Sequence, residues 1–331
     1  MINFTKKIFC IIGVFFLLNS SFICASAAKE KVAEPQTVNM AVLNGPSGMC
    51  FAYLFENVPQ VNNTAVSYEV CASPDVLIPK MLKGEIDIGI LPPNAAAKIY
   101  AKQPDSIVLA GVSGLGMLSL VTTDESVKSL EDLKGRTVFV AGQGSTPEYV
   151  FRAILEKNGL STGDAKDAIN LDFSIPASEM AAAIASGKIE YAVMPEPFAT
   201  VAVSKGTCRR ALDLQALWKS SFSKDTFPMT AVVVRKEFAA RYPKTVRAFL
   251  KEAEKAVFWT EQNPKDAAAL VEKHTLGLKA AIAEKAIPNC AFSYVPAKQA
   301  KPLIEELLKV FLNYAPESVG GKLPDDKFYF E

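Results

Sequence analysis

The sequence predicts an α/β protein built as a pair of similar domains. Three observations carry this. Short apolar, β-branched runs alternate with helical patterns across short turns from Val38 to Val234, the signature of a parallel sheet covered by helices. A block of the chain recurs: Gly84-Glu-Ile86-Asp-Ile-Gly-Ile-Leu-Pro92-Pro-Asn94-Ala-Ala96 is answered by Gly187-Lys-Ile189-Glu-Tyr-Ala-Val-Met-Pro195-Glu196-Pro-Phe-Ala199. Upstream of each copy, Asn44-Gly45-Pro46-Ser47 is answered by Gln143-Gly144-Ser145-Thr146. The interval is too long for stacked solenoid repeats, so the repeat is domain-sized. Finally, 331 residues with 50% hydrophobic content are enough for two ordinary cores.

The first element is a strand over Val38–Leu43, followed by a helix from Cys50 to Val58. A second strand spans Val66–Val70. Ser73-Pro74-Asp75 reads as the cap of a helix over Val76–Leu82, which Gly84 ends. Ile86–Leu91 is a third strand, and Pro92-Pro93-Asn94 turns into a helix over Ala95–Ala101. Ile107–Val112 and Met117–Thr122 are strands joined through Gly114-Leu115-Gly116. Leu130–Gly135 is a short helical turn. Further on come a strand at Leu171–Ser174, a helix over Ala177–Ala185 and a strand over Ile189–Met194. Met229–Val234 is a strand that returns the chain to the first domain, and from Lys236 the chain reads as helical. The tail Phe328-Tyr329-Phe330 is expected to dock on the first domain.

The stretch Thr137–Leu160 has the clearest local grammar. Thr137–Ala141 is a buried strand, and Gly142-Gln143-Gly144 turns the chain. Ser145 is the expected N-cap, Glu148 completes a capping box, and Pro147 sits in the first turn. A strand, a glycine turn and a helix start with free N–H groups suit a small ligand. The stretch is not a nucleotide motif: no Lys follows the glycines, and Pro147 stands where a third glycine belongs. An ordinary strand-to-helix turn is the competing reading.

The net charge is +1 with no basic run, so nucleic acid is not an expected partner. His274 is the single histidine, which argues against histidine metal centres and Ser-His-Asp chemistry; no cofactor or metal is expected. Its position at a helix end suits a surface cap. Residues 1–27 read as an export signal, with Lys6-Lys7, an apolar run over Ile8–Leu18, and cleavage after Ala25-Ser26-Ala27. Lipid attachment at Cys24 is the alternative, against which Ser21-Phe22-Ile23 is a poor lipobox. Residues 28–37 form a polar, mobile leader. An exported chain keeps Cys50, Cys71, Cys208 and Cys290, in a compartment that permits disulfides; buried free thiols are the other reading. Cys50 and Cys71 follow the first two strands at one sheet edge and are the expected pair, while none is expected between Cys208 and Cys290.

Leu130-Glu-Asp-Leu-Lys-Gly135, Gly142-Gln-Gly-Ser-Thr-Pro147, Gly187 with Ile189, and Pro195-Glu-Pro-Phe-Ala199, in that order, resemble the nitrate/sulfonate/taurine class of ABC-importer solute-binding proteins. Gly84-Glu-Ile-Asp-Ile88 matches the corresponding first-domain strand, and the likeness covers about Val38 to Gly321. The resemblance implies a periplasmic-binding-protein fold of type II: two similar α/β lobes joined by two crossover strands, with a ligand cleft between them. On this sequence lobe 1 becomes 38–120 plus 235–331, and lobe 2 becomes 121–234. It further implies a periplasmic or extracytoplasmic monomer that passes a solute to a membrane permease and does no chemistry. An enzyme like the thiamine-pyrimidine synthases is the alternative, although it needs a clustered Cys/His constellation. A ligand-sensing subunit of a membrane signalling protein is another.

Ligands of open α/β sheets lie beyond the carboxyl ends of the strands. The turns that meet this rule supply the candidate ligand-binding residues Ser47, Gly48, Met49, Asn94, Gly114, Gly116, Gln143, Ser145, Thr146 and Glu196. The hydroxyls and helix N–H groups suit an anionic or acceptor-rich end. Met49 and Met117 read as an adaptable wall or as core. Glu196, the one charge in these turns, reads either as an acceptor for a ligand amine or as a structural cap. No Arg or Lys stands in the turns, which argues against a multiply charged phosphate. A sulfonate or taurine-like zwitterion, a small oxyanion and a neutral pyrimidine remain open. Trp218 and Trp259 read as packing residues.

Overall fold

The structure, a computed structural model, describes residues 34–331. The expected export signal and Cys24 lie outside the described residues. Twelve strands fall into two sheets: β1 (Thr37–Leu43), β2 (Gln60–Val61), β3 (Thr64–Cys71), β4 (Ile88–Leu91), β5 (Ile107–Leu115), β6 (Leu118–Thr122), β7 (Thr137–Val140), β8 (Asn170–Asp172), β9 (Tyr191–Pro195), β10 (Arg209–Asp213), β11 (Pro228–Arg235) and β12 (Phe292–Pro296). The larger sheet has the order β12-β5-β11-β4-β1-β3-β2, the smaller β10-β6-β9-β7-β8.

The repeat read in the sequence is a repeat of topology. In the larger sheet β1 is flanked by parallel β3 and β4, and β11 lies antiparallel between β4 and β5. In the smaller sheet β7 is flanked by parallel β8 and β9, and antiparallel β6 lies between β9 and β10. Strands β11 and β6 are each donated by the other half of the chain. β6 follows directly from β5 yet joins the smaller sheet, and β11 follows β10 yet joins the larger. The expectation of purely parallel sheets is corrected by this exchange. By sheet membership Leu118–Leu120 belongs with the smaller lobe and Pro228–Val234 with the larger, which moves both expected boundaries by a few residues.

Alternating side chains of β1, β4, β5 and β11 fill a core on each face of the larger sheet. Val38, Met40, Val42, Ile88 and Ile90 face one side, beneath the helices Pro46–Cys50, Pro243–Gln262 and Pro264–Lys273. Ala41, Leu109, Ala231 and Val233 face the other, against Leu77, Met81, Leu307 and Phe311. This second core continues into the smaller lobe through Val138, Val140, Phe151 and Ile154. Across the join, Tyr149 meets Phe311 edge-on at 4.9 Å and stacks on Tyr314 at 6.0 Å. The lobes therefore share apolar packing on this side through the helices Thr146–Lys157 and Ala297–Tyr314.

The two cores explain a correction. Cys50 lies in one and Cys71 in the other, on opposite faces of the sheet. The expected bridge does not form, and all the cysteines of the described residues are free thiols. The strands are neighbours, but sharing an edge is not sharing a face: facing layers stand about 10 Å apart. The Cys50 thiol donates instead to the Ser113 carbonyl at 3.3 Å. Burial pushes the Cys50 and Cys290 thiols up.

Three elements depart from expectation. The helical region after Lys236 contains edge strand β12. Strand β10 falls where no element was expected, and the helix Leu214–Phe222 after it gives bounds to a helical pattern read only around Trp218. Ser73 stands at an N-cap but makes no side-chain cap bond. The leader ends by residue 37, since Thr37 opens β1 and the Glu34 carboxylate accepts from the Thr245 hydroxyl. The tail docks on the larger lobe as expected: Phe330 N–H donates to the Leu109 carbonyl at 2.8 Å, and Phe328 is buried. Trp218 packs on Phe222 at 4.2 Å and Trp259 against Tyr53 at 4.8 Å.

Candidate functional site: a cleft between two lobes

The carboxyl ends of β1, β4 and β9 and the two crossovers converge on one cavity of about 200 Å³. The larger lobe supplies Asn44, Pro46, Ser47 and Pro92, the smaller lobe Pro195, Glu196 and Phe198. The crossovers supply Met117, Met229 and Thr230. Two backbone features set the passage between lobes. Gly116 and Met117 both have positive φ, 64° and 60°, so the chain turns sharply out of β5. A Cβ on Gly116 would meet the Gln215 side chain at 1.6 Å, and one on Gly114 would meet Thr230 Oγ1 at 2.6 Å. Side chains at these positions would run into Thr230 on the other crossover and into Gln215 of the helix Leu214–Phe222.

Of the expected site residues, Ser47 and Glu196 line this cavity, whereas Gly48, Met49, Asn94, Gly114, Gly116, Gln143, Ser145 and Thr146 do not. Met49 is fully buried and packs in the core of the larger lobe. Gly48 sits where a Cβ would stand 3.0 Å from the Leu43 carbonyl. Asn94 is half-buried in the first turn of the helix Pro93–Lys102. Met117, read as wall or core, is wall. The Ser47 hydroxyl is committed to its own turn, accepting from Leu43 N–H at 3.0 Å and donating to Leu43 C=O at 2.9 Å.

The Gly142–Thr146 turn folds as expected but is wired differently. Ser145 occupies the N-cap position without making a side-chain cap bond, and its hydroxyl donates to the Gly142 carbonyl. The capping box is absent. Glu148 instead reaches past the cap: its Oε2 accepts from Gly144 N–H at 2.7 Å, and its Oε1 from Arg152 Nε at 2.8 Å. Arg152 also donates to Thr162 Oγ1 at 3.1 Å. A buried carboxylate of the protein thus sits at the helix N-terminus, where an anionic ligand was expected.

Glu196 is neither a solvated turn carboxylate nor a free acceptor. It is 1% exposed. Its Oε1 accepts from Arg210 Nη2 at 2.5 Å and Nε at 3.2 Å, and its Oε2 from Thr200 N–H at 3.1 Å. Arg210 Nη2 also donates to Thr200 Oγ1 at 2.6 Å. The second oxygen caps the helix Phe198–Val203, so the cap reading of Glu196 is the one the geometry favours. Arg210 comes from β10, the edge strand the sequence reading missed, which is why no cation was expected here. Its one visible signal was the Arg209-Arg210 pair ahead of Ala211-Leu212. Phe198, Met229 and Thr230 were read within strands or motifs and not assigned to the site.

A more polar hollow of about 420 Å³ adjoins the cavity across Met117, with Ser119, Arg210, Gln215 and Asn289 among its walls. A hollow of about 510 Å³, larger than either of these, lies between Met81–Gly84 and Gln103–Ser106. That is the amino end of β5, the wrong end of an open sheet for a ligand, so volume does not decide here.

Exchanged strands, two lobes and a cavity closed by both define the two-lobed fold of periplasmic solute-binding proteins. The chain belongs to the NMT1-like family, whose model matches residues 54–274. It is similar to an ABC transporter protein from Parabacteroides distasonis, at 31% identity over 90% of this chain and 99% of that one, with a TM-score of 0.77. It shares its fold with the periplasmic aliphatic sulphonate binding protein SsuA from Escherichia coli, at 19% identity, 88% and 93% coverage and a TM-score of 0.69. The periplasmic nitrate-binding protein NrtA from Synechocystis shares it at 15% identity, 85% and 82% coverage and a TM-score of 0.59. No curated protein matches the sequence.

Proposed function

We propose that this protein is an extracytoplasmic receptor that captures a small organic solute between its lobes by closure and delivers it to an ABC permease. The carrying observation is the cavity shared by both lobes and both crossovers, since a rotation about the crossovers would open and shut it. The similar ABC transporter protein and the sulphonate- and nitrate-binding neighbours support the same role and an extracytoplasmic location. No helix among the described residues is long and apolar enough to cross a membrane. The ligand contacts in this reading are Asn44, Ser47, Met117, Glu196, Phe198, Met229 and Thr230. The remaining expected residues act as spacers, core or turn.

An enzyme on this fold fits less well. The cavity offers one ionisable side chain, Glu196, and it is already paired. His274 is at the surface, bonded to Glu56 at 2.9 Å, and no cluster of metal-ligating residues occurs among the described residues. Native mass spectrometry on protein purified without refolding tests the reading, together with small-angle scattering before and after ligand removal. A bound small molecule and a smaller radius of gyration when loaded are expected. Protein that carries no solute and keeps one radius in every condition is not a receptor of this kind.

A further inference from the structure

The lobes are joined differently on the two faces of their sheets, and on the receptor reading this sets the path of the solute. We infer that the solute enters and leaves between the helices Phe198–Val203 and Ala280–Ala286. The aromatic cluster Tyr149, Phe311 and Tyr314 on the opposite face is then the pivot that keeps the lobes joined.

Alternation along the strands assigns the faces. In β9, Tyr191 and Val193 point into the core that also holds Phe151 and Ile154, whereas Ala192 and Met194 point the other way, toward Ala199 and Ala202. In β11, Ala231 and Val233 point into that first core, and Val232 and Val234 into the one that holds Ala283 and Ala286. On the first face a single core runs through both lobes. Tyr149 of the smaller lobe meets Phe311 and Tyr314 of the larger, and the Tyr314 hydroxyl donates to the Glu156 carboxylate. Aromatic side chains bury about 150–250 Å² each, so parting the lobes here would expose a large apolar area.

On the second face the two lobes keep separate cores. The helix Ala280–Ala286 lies against the helix Phe198–Val203, yet each packs into its own lobe. The former is mostly alanine, which buries little apolar area against a neighbour. Polar groups on both helices are satisfied at home. Thr200 N–H donates to Glu196 and its hydroxyl accepts from Arg210, while Ala280 N–H donates to Glu272 Oε2 at 2.7 Å. Separation on this face therefore breaks little. It also leads directly to the cavity. Phe198 opens one helix and lines the cavity. The other helix follows Leu276, whose carbonyl accepts from Gly45 N–H at 3.1 Å, next to the lining residue Asn44. A swing about the fused face parts this gate and leaves the shared core intact.

Spin-label pairs measure both faces, in a Cys208→Ser background because the other cysteines of the described residues are buried. Lys205→Cys with Ala281→Cys spans the gate, and Lys157→Cys with Lys309→Cys spans the pivot; all four positions are exposed. Distances are compared in protein as purified and after its solute has been removed by unfolding and refolding. The gate pair should lengthen and broaden on removal, while the pivot pair keeps one narrow distance. A bifunctional maleimide across the gate pair should hold the co-purified solute through dialysis, and one across the pivot pair should release it. The distances decide by themselves where a cross-link does not form. A pivot pair that lengthens as much as the gate pair overturns the inference. So does solute that leaves the gate-linked protein as fast as the unlinked one. Failure of the receptor reading looks different: neither pair changes and no solute co-purifies, and the gate falls with it.

Discussion

The two halves of the chain offer the cleft the same kind of turn and wire it in opposite ways. In the larger lobe, Asn44-Gly45-Pro46-Ser47 buries its serine, whose hydroxyl holds Leu43 and lines the cavity. In the smaller lobe, Gln143-Gly144-Ser145-Thr146 leaves Gln143 and Gly144 exposed, and the serine hydroxyl turns back on Gly142. The proline turns differ likewise. Pro92-Pro93 carries no charge, whereas Pro195-Glu196 brings a carboxylate that must be neutralised from β10. A shared topology fixes where the turns stand. Which polar groups remain free for a ligand is decided afterwards, by neighbours far away in sequence. Substitutions in these turns and at their partners separate the two halves.

The largest effect should come from Glu196→Ala. Removing one partner of a buried ion pair typically costs about 3–5 kcal/mol. The Arg210 side chain keeps 29% exposure and can rehydrate, so about 2–3 kcal/mol is expected in urea unfolding. Adding Arg210→Ala to that variant should cost much less than Arg210→Ala alone, because the partner has already gone. Additive losses in this double-mutant cycle would show that the two side chains do not act as a pair.

Glu148→Ala comes next, at about 1–2 kcal/mol, through the loss of an acceptor for Gly144 N–H and of a buried partner for the half-buried Arg152. Glu148→Gln should recover part of it, since the amide oxygen can still accept from Gly144. If Gln is no better than Ala, the carboxylate holds the turn through charge and not through that hydrogen bond.

How much of this was legible in the sequence depends on distance along the chain. β1, β3, β7, β9 and the helices Thr146–Lys157 and Ala177–Ala185 are set by local periodicity and punctuation, and they fell within a few residues of expectation. The repeat of Gly84–Ala96 in Gly187–Ala199 showed the pairing of lobes before any topology was known. What failed was non-local. β10 and β12 are short edge strands without clean alternation, and they exist because β6 and β5 offer them a partner. Missing β10 removed Arg210 from view, and with it the true environment of Glu196. The capping box at Ser145 and Glu148 met the sequence rule in full, yet the carboxylate found Arg152 and Gly144 instead. The Cys50–Cys71 expectation identified neighbouring strands correctly but could not see which face each thiol occupies.

Ser47→Ala is expected to cost about 1 kcal/mol. It leaves Leu43 N–H without its side-chain acceptor, in a turn that closes β1 beside the cavity. Thermal unfolding measures it, and affinity for the native solute should fall along with stability, because the turn is part of the wall.

The smallest effect is expected at the corresponding position, Ser145→Ala, and it is the most informative about the cleft. A working N-cap replaced by alanine loses about 0.5–2 kcal/mol. Here the hydroxyl bonds a carbonyl of its own turn, the helix start is held by Glu148, and the residue is only half-buried. A loss below about 0.5 kcal/mol is therefore expected, as at ordinary surface positions. Solute affinity should also stay within about twofold of the wild type, since Ser145 lies outside the cavity lining. A stability loss near that of Ser47→Ala would mean that the hydroxyl caps the helix after all. Unchanged stability with a tenfold loss of affinity would bring the smaller-lobe turn into the site on closure. The two serines would then be equivalent in function, and the asymmetry between the lobes would belong to the unliganded protein alone.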